Sequence, residues 1–468
     1  MACDTIIASK PTISQRKKPP MRTTIQKQTK IVEKKIDHEH AEELHQIRKL
    51  IEASPEIPNL IYADLVRGLK NPDQGRAGKM TAEQVFMVLM IKQINDFSYE
   101  TLRFHLADSR SYSSFCGFGI CDPIPSKSIL QRDIKKIQPQ TMERINRIIL
   151  GVASDLGIEK GRKVRVDCTV TESNIHPPTD SSLLFDCVRV LCRLCLQAKQ
   201  EFGFIVSDHT RRAKKRALGI LNAKNDKARK KHYRDLLQVT GKATANAERI
   251  LTQLKAARVA DPLLIEGLSV ELERYLPLAK RVMDQTERRV VKGEKLGPEE
   301  KLVSIFEPHA DIIVKDRRDT YYGHKLALTG GASGLITDLV ICEGNPADSQ
   351  MATKMIERQR EVYGRVPRQA AFDGGFASKA NLAEIKELGV KDVAFSKRRG
   401  LEISDMAKST WVYRKLRDFR AGIEGMISFL KRCLGLGRCN WSGFESFKAY
   451  AWSSVVAANL LLLARHQL

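Results

Sequence analysis

The chain has 468 residues, 42% of them hydrophobic, and 79 Lys plus Arg against 55 Asp plus Glu give a net charge of +24. The apolar fraction is enough to bury real cores and excludes an intrinsically disordered chain, and the length predicts roughly two to four domains. Such a charge predicts attraction to a polyanion, of which nucleic acid is the commonest in cytoplasm.

Residues 1 to about 36 are poor in apolar side chains and contain SQRKKPPMR and KQTKIVEKK. They read either as a flexible basic arm that orders on a phosphate backbone or as a solvated tail. The signal-peptide pattern of charge, apolar run and small-residue cleavage site is missing. From about 78 the pattern is helical. Thr81 and Gln84 form a capping box ahead of VFMVLMI, and Ser98 caps SYETLRFHLADS. After CGFGICDPIP comes SKSILQRDIKKI, with Ile129, Leu130, Ile134 and Ile137 on one face and Lys127, Gln131, Arg132 and Lys135 opposite. This is the pattern of a helix-turn-helix reader, and plain helical packing accounts for it equally well.

RKVRVDCTVTES, 162–173, alternates Val164, Val166, Cys168 and Val170 with Arg165, Asp167 and Thr169, so it reads as a strand. Asp167 stands on the face opposite the valines, and a carboxylate inside a strand is unfavourable for propensity alone. Helical periodicity returns from about 182 to 300. Between 199 and 234 there are twelve Lys or Arg against three Asp or Glu. The segments around NAERILTQLKAAR and VELERYLPLAKRVMDQTERRV read as amphipathic helices joined at GLS. This block can be a helical clamp on DNA, a dimerisation arm or a scaffold with a solvated basic face. Cys187, Cys192 and Cys195 lack the second C-x-x-C or His pair of a zinc site and read as small buried residues on a helix. Ten cysteines in such a chain predict reduced thiols in the cytosol.

At 320, TYYGHKLALTG and GLITDLVICEG predict a hairpin across GASG. PADSQMATKMIERQREVYG is a helix with Ala347 or Asp348 near its start. RQAAFDGGFAS is a short strand ending at Asp373 before Gly374 and Gly375, NLAEIKELG a helix, and KDVAFS a short strand. In RAGIEGMISFLKR, 420–432, Ile423, Ile427 and Leu430 continue to Leu434 as an apolar helical stripe. Arg420, Glu424 and Lys431 form a second stripe within about 40° of one another and about 70° from the first. Glu424 thus sits at the border of the buried face, as it would on an ordinary solvated face too. VVAANLLLLA, 455–464, is the nearest approach to a membrane span of ~20 apolar residues and reads as a short core helix. The order of elements predicts an α/β unit, a mixed sheet with helices packed on it, interrupted after its first strand by the helical block.

Three acids stand out: Asp167 in the first strand, Asp373 at the end of a later strand and Glu424 on a helix. Converging carboxylates are what Mg²⁺ requires, and two such ions about 4 Å apart serve a phosphodiester displacement. Gly374 and Gly375 allow a tight turn and close backbone approach to a substrate.

Here the sequence resembles the DDE transposases of bacterial insertion sequences, on VRVDCTVTESNIHPPTDSSLL, YYGHKLALTGGASGLITDLVICEGNPADSQM, AFDGGFASKANL and RAGIEGMISFLKRCLGLGRCNWSG, in that order. The stretch from about 80 to 150 resembles their N-terminal region. One large group of the family carries a Tyr-Arg-Glu-Lys signature. Arg420, Glu424 and Lys431 match its last three positions, and Arg417 stands at the Tyr position. The resemblance implies a ribonuclease-H-like mixed sheet with flanking helices, a helical N-terminal domain and a large all-α insertion. It implies Asp167, Asp373 and Glu424 as catalytic ligands of two Mg²⁺, with Mn²⁺ as a substitute, and Arg420 and Lys431 on DNA phosphates, with Gly422 and Gly425 leaving room for the duplex. End recognition is expected from Lys127, Gln131 and Lys135. The expected partners are double-stranded DNA, both transposon ends and target, and a second protomer in a homodimer on DNA, with no membrane and a cytoplasmic, nucleoid-associated location. The expected domains are a basic arm at 1–40, a helical DNA-binding domain at 41–155, the catalytic domain at 156–181 and 311–468, and the helical insertion at 182–310. The alternatives are a ribonuclease-H-like nuclease without strand transfer and a non-catalytic DNA-binding protein.

Overall fold

The structure, a computed structural model, describes residues 37–71, 80–119, 121–257, 261–315 and 319–468. The expected basic arm lies almost wholly outside the described residues. Two compact units divide the chain, one up to Ile148 together with Leu460–Leu468, the other Ile149–Asn459.

The first unit is helical: α1 (Glu39–Glu52), α2 (Glu56–Val66), α3 (Ala82–Ile94), α4 (Tyr99–Asp108), α5 (Arg110–Phe115), α6 (Lys127–Ile134) and most of α7 (Pro139–Asp155). The capping box that starts α3 is formed, with Gln84 N donating to Thr81 Oγ1 at 3.1 Å and Thr81 N to Gln84 Oε1 at 3.0 Å. Val85 through Ile91 are all fully buried, so α3 is the axis around which this unit packs. Helices α1 and α2 precede the point at which the sequence pattern turns helical. The Pro58 of α2 sits in the first turn, where its missing N–H breaks no helical bond. Ser98 accepts from Thr101 N at 3.0 Å and starts α4. The short α5, which the sequence pattern does not announce, stands between α4 and α6. On α6, Leu130 and Ile134 are fully buried, Lys127 and Lys135 are exposed, and Gln131 is half-buried.

The second unit is built on a seven-stranded mixed sheet. Its axis is β1 (Lys163–Ser173), which is followed by four helices before the sheet resumes: α8 (Asp180–Phe202), α9 (Thr210–Leu221), α10 (Asp226–Ala256) and α11 (Pro262–Thr286). Then come β2 (Asp311–Lys315), the hairpin of β3 (Asp319–Gly330) and β4 (Ile336–Ile341), α12 (Ala352–Tyr363), β5 (Gln369–Phe372), α13 (Lys379–Glu387) and β6 (Asp392–Phe395). The last elements are α14 (Ile403–Met406), α15 (Thr410–Cys433), β7 (Arg438–Cys439) and α16 (Phe444–Arg465). β3 lies antiparallel to β1, and both β2 and β4 pair with β3, along its first and second halves. On the other side β5 runs parallel to β1 and β6 parallel to β5, while β7 pairs with the end of β1. This is a ribonuclease-H-like sheet, an antiparallel half and a parallel half sharing one central strand. β2 and β7 escape a periodicity reading because they are only five and two residues long.

One core cluster lies between the sheet (Val164, Val166, Ala370, Phe372, Val393, Phe395) and its helices (Met355, Ile356, Leu382, Ile385, Leu416). Helix α16 corrects the sequence reading: it has 22 residues rather than ten and is long and apolar enough to cross a membrane by composition alone, yet 89% of its apolar window is buried inside the protein. Ser453, Ser454 and Asn459 interrupt its apolar run without cost because each is bonded. Ser453 Oγ donates to Ala449 O at 2.7 Å, Ser454 Oγ to Leu434 O at 3.0 Å, and the Asn459 amide bonds both backbone groups of Ile336 at 2.8 Å.

The inserted helices have a core of their own, running from Leu183 on α8 through Leu236, Ile250 and Leu272 to Leu302 and Ile305. The expected joint at GLS does not exist. Gly267–Ser269 lie inside α11, which starts at Pro262 behind the Asp261 cap. Proline at the first helical position is a stronger start signal than an internal Gly is a stop signal, since burial of Leu268 and Leu272 offsets the roughly 1 kcal/mol that Gly costs. Cys187, Cys192 and Cys195 are buried on α8, and burial pushes all three thiols up, as expected of inert core residues.

Candidate active site

Strand register brings two of the three acids together. In the parallel pairing of β1 with β5, Val166 stands beside Phe372, so the next residues, Asp167 and Asp373, emerge abreast on strands roughly 4.8 Å apart. β6 repeats the step: Phe395 pairs with Phe372, and the Ser396 that follows donates its hydroxyl to Asp373 Oδ1 at 2.7 Å. Sequence periodicity does not single out Ser396, although AAFD and VAFS, two strands each ending in Phe and a polar residue, carry the signal. Helix α15 packs against β1, β5 and β6 and brings the third acid.

The centre of the site is Arg420. Its Nη2 lies 2.8 Å from Asp167 Oδ2 and 3.2 Å from Asp373 Oδ1, and its Nη1 lies 2.8 Å from Glu424 Oε1. Arg420 and Asp167 are 15% and 14% exposed, whereas Glu424 is 67% exposed, so the cluster is open on the helix side. Arg420 therefore does not stand on the surface ready for a phosphate; it bridges the acids. Lys431 is not with it. It is half-buried, and burial first and then the neighbouring Lys315 depress its pKa, against the pull of Glu172.

The two aspartates are in opposite electrostatic states. Burial pushes the Asp167 carboxyl above its ordinary value; Arg420 and the N–H of Cys168 pull it down, and nearby Asp373 and Asp348 push it up again. For Asp373 burial also raises, but the Ser396 hydroxyl, the N–H groups of Gly374 and Gly375, and Arg420 together hold it below its ordinary value. Asp348, a fourth acid not singled out in the sequence, accepts from Lys325 Nζ at 2.7 Å and lies against Gly375, where a Cβ would stand 2.6 Å from its Oδ2.

The glycines serve the protein's own side chains. A Cβ on Gly374 would meet the Lys397 side chain at 2.7 Å, and one on Gly422 would collide with the Arg165 guanidinium. Arg165 Nη1 crosses there to Phe419 O at 3.1 Å. Gly425 alone faces open space. This corrects the expectation that Gly422 clears a path for DNA.

Among the described residues, no three His, Cys, Asp or Glu side chains close directly into a metal cage. The donor set nevertheless fits a divalent cation. Three carboxylates already surround one positive group at 2.8–3.2 Å, and their oxygens are the hard ligands such a cation takes. Lys127, Gln131 and Lys135 lie on α6 of the first unit; Lys127 Nζ pairs with Glu100 Oε2 at 3.1 Å, both exposed.

Two family models match the chain. One, described as "Transposase DDE domain", covers residues 307–460, which hold Asp373, Arg420 and Glu424. The other, "Transposase domain (DUF772)", covers residues 30–136 and thus most of the first unit. No curated protein and no solved structure matches. Both matches are to transposase domains, and the sheet that begins between them and continues through the second is ribonuclease-H-like; the chain belongs to the DDE transposases of insertion sequences.

Proposed function

We propose that the protein cuts the phosphodiester at each end of its element in a Mg²⁺-dependent hydrolysis and then joins the freed 3′-hydroxyl to a target strand. In the first step water adds to phosphorus and the 3′-oxygen leaves with a proton. In the second, that hydroxyl attacks a target phosphate and displaces the target's own 3′-oxygen. The observation that carries this reading is the convergence of Asp167, Asp373 and Glu424 on one cationic centre from β1, the end of β5 and α15. These three would hold two Mg²⁺, with Mn²⁺ able to replace them. When bound, such ions supply nucleophile activation and charge stabilisation at the leaving oxygen.

The remaining roles belong to the chain's own groups. Ser396 and the amides of Gly374 and Gly375 keep Asp373 ionised and fixed. Arg420 neutralises the cluster and would turn to a DNA phosphate once the acids take a metal. Lys431 would carry a second phosphate contact, and Lys127, Gln131 and Lys135 part of the recognition of the ends. The four domains expected from the sequence, a homodimer on DNA and a cytoplasmic location at the nucleoid complete the proposal. The nine described cysteines, all free thiols, support that location.

The test is a reaction of the purified protein with DNA carrying the element's ends, a supercoiled target plasmid and Mg²⁺. Joined products, lost in Asp167→Asn, Asp373→Asn and Glu424→Gln, are expected. Hydrolysis without joined products would leave a nuclease, and binding without either would leave a DNA-binding protein.

A further inference from the structure

The strongest concentration of positive charge lies where α9 turns into α10, and the structure shows where that turn is. Tyr233 of α10 lies beside Ser181 at the start of α8, and Arg249 Nη2 further along α10 donates to Ile205 O just past the end of α8, so the two helices run parallel and the first turns of α10 extend past the N-terminus of α8. Gly219 of α9 faces His232 of α10, which places the end of α9 there too. The basic turn is therefore folded back to the root of the inserted helices and is not at their far end.

That root is fixed to the catalytic sheet. β1 runs on for six residues beyond Asp167, roughly 20 Å, and the connector to α8 is held at both ends. Arg438 Nη2 of β7 donates to Ile175 O at 2.6 Å, and His176 Nε2 bonds Asp186 Oδ2 of α8 at 2.8 Å. The returning chain is tied to the same point, because Gln285 Nε2 and Arg289 Nη1 reach Asp180 Oδ1 at 3.3 and 3.0 Å.

Within the turn three arginines are paired, while Arg211 and Arg234 are exposed without an ion pair among the described residues. Arg212 and Arg216 are paired with Asp235, and Arg229 with Asp226. Lys214, Lys215, Lys224, Lys227, Lys230 and Lys231 are exposed and make no ion pair among the described residues. The paired arginines hold α9 on α10 and leave the lysines as unneutralised point charges on a rigid mount. Unpaired ammonium groups on flexible stems, carried by a fixed pair of helices, can adapt to a regular array of phosphates, one per roughly 1.7 Å of duplex axis.

We propose that this lysine turn is a second DNA-binding surface, which grips the phosphate backbone of duplex beside the cleavage point without reading its sequence. The proposal rests on the transposase reading and deepens it, since it assigns to the inserted helices a share of the backbone contacts to the DNA on which the acids act.

The experiment uses the full chain, a random-sequence duplex and the variant carrying Lys→Gln at all six positions. Equilibrium binding is measured across a salt series, with circular dichroism and light scattering to follow fold and oligomeric state. Each phosphate that is no longer neutralised lowers the slope of log affinity against log salt by about 0.9, so a fall of roughly two to five units is expected with helicity unchanged. Restoring lysine at 227, 230 and 231 should recover about half of it. An unchanged slope overturns the assignment while leaving the transposase reading intact. A variant that keeps its slope but loses self-association overturns it in favour of a surface between protomers. A wild-type protein that binds no duplex overturns both readings.

Discussion

Arg420 is the residue on which the chemistry of the site turns. Removing it in Arg420→Ala leaves three carboxylates facing one another without a cation, and breaking such a part-buried pair costs about 3 kcal/mol, with the exposed Glu424 arm contributing little. The metal-free variant should therefore melt below the wild type, and Mn²⁺ should raise its melting temperature by more than it raises that of the wild type. An equal Mn²⁺ response in both would show that Arg420 and the metal do not share the acids. The acids themselves are expected to be indispensable: Asp167→Asn, Asp373→Asn or Glu424→Gln should each lower cleavage at least about a hundredfold and leave gel-shift affinity for DNA nearly unchanged. The pH dependence follows from the two aspartates. A raised folded-state pKa, as at Asp167, favours the fold below the unfolded value and loses that favour as pH rises through the folded value. At Asp373 the depressed pKa contributes stability above the unfolded value, lost as pH falls through the folded one. Metal binding requires both to be ionised. Calorimetry in buffers of different ionisation heat should then show proton release on metal binding, from Asp167, that grows as the pH is lowered toward the carboxylate range. Metal binding with no proton release across that range would mean that Asp167 is not a ligand.

At the scale of elements, the two glycines of α15 behave oppositely. An added methyl at Gly425 meets open space, so Gly425→Ala should stabilise by up to about 1 kcal/mol through helix propensity. At Gly422 the same methyl strikes the tip of Arg165, which must give up its bond to Phe419 O, worth about 1.5–3 kcal/mol, so Gly422→Ala should be net destabilising by up to about 2 kcal/mol despite the same propensity gain. Thermal melts of the two single variants decide it; equal shifts would mean that the Arg165 crossing carries no weight. The identity of this helix was legible from its spacing, and so was the burial of Ile423 and Leu430. The direction of Arg420 was not, because a long side chain on the border of an apolar face reaches either solvent or the neighbouring sheet with the same helical phase.

For the whole molecule, the inserted helices should be separable from the sheet. Their core cluster is made only of residues from Leu183 to Ile305, and both ends of the block meet at Asp180. Replacing residues 180–305 by a short Gly/Ser linker should leave a cooperative melt and the sheet's circular dichroism, since closure entropy depends only weakly on loop length. A variant that fails to fold would make the block part of the catalytic core.

Sequence by itself determined the types of most elements, the alternation that marks β1, the hairpin at Gly331–Gly334 and the three acids, one within a strand, one at a strand end and one at a helix border. These are local properties, set by side-chain periodicity and turn chemistry within a dozen residues. Tertiary structure alone decided that Asp167 and Asp373 stand abreast, that Ser396 and Asp348 join them, that Arg420 occupies their centre, and that the lysine turn folds back to the root of its own insertion. Each of these depends on strand register or helix pairing between residues scores of positions apart, and a one-residue slip in register would turn the same carboxylates to the opposite face of the sheet.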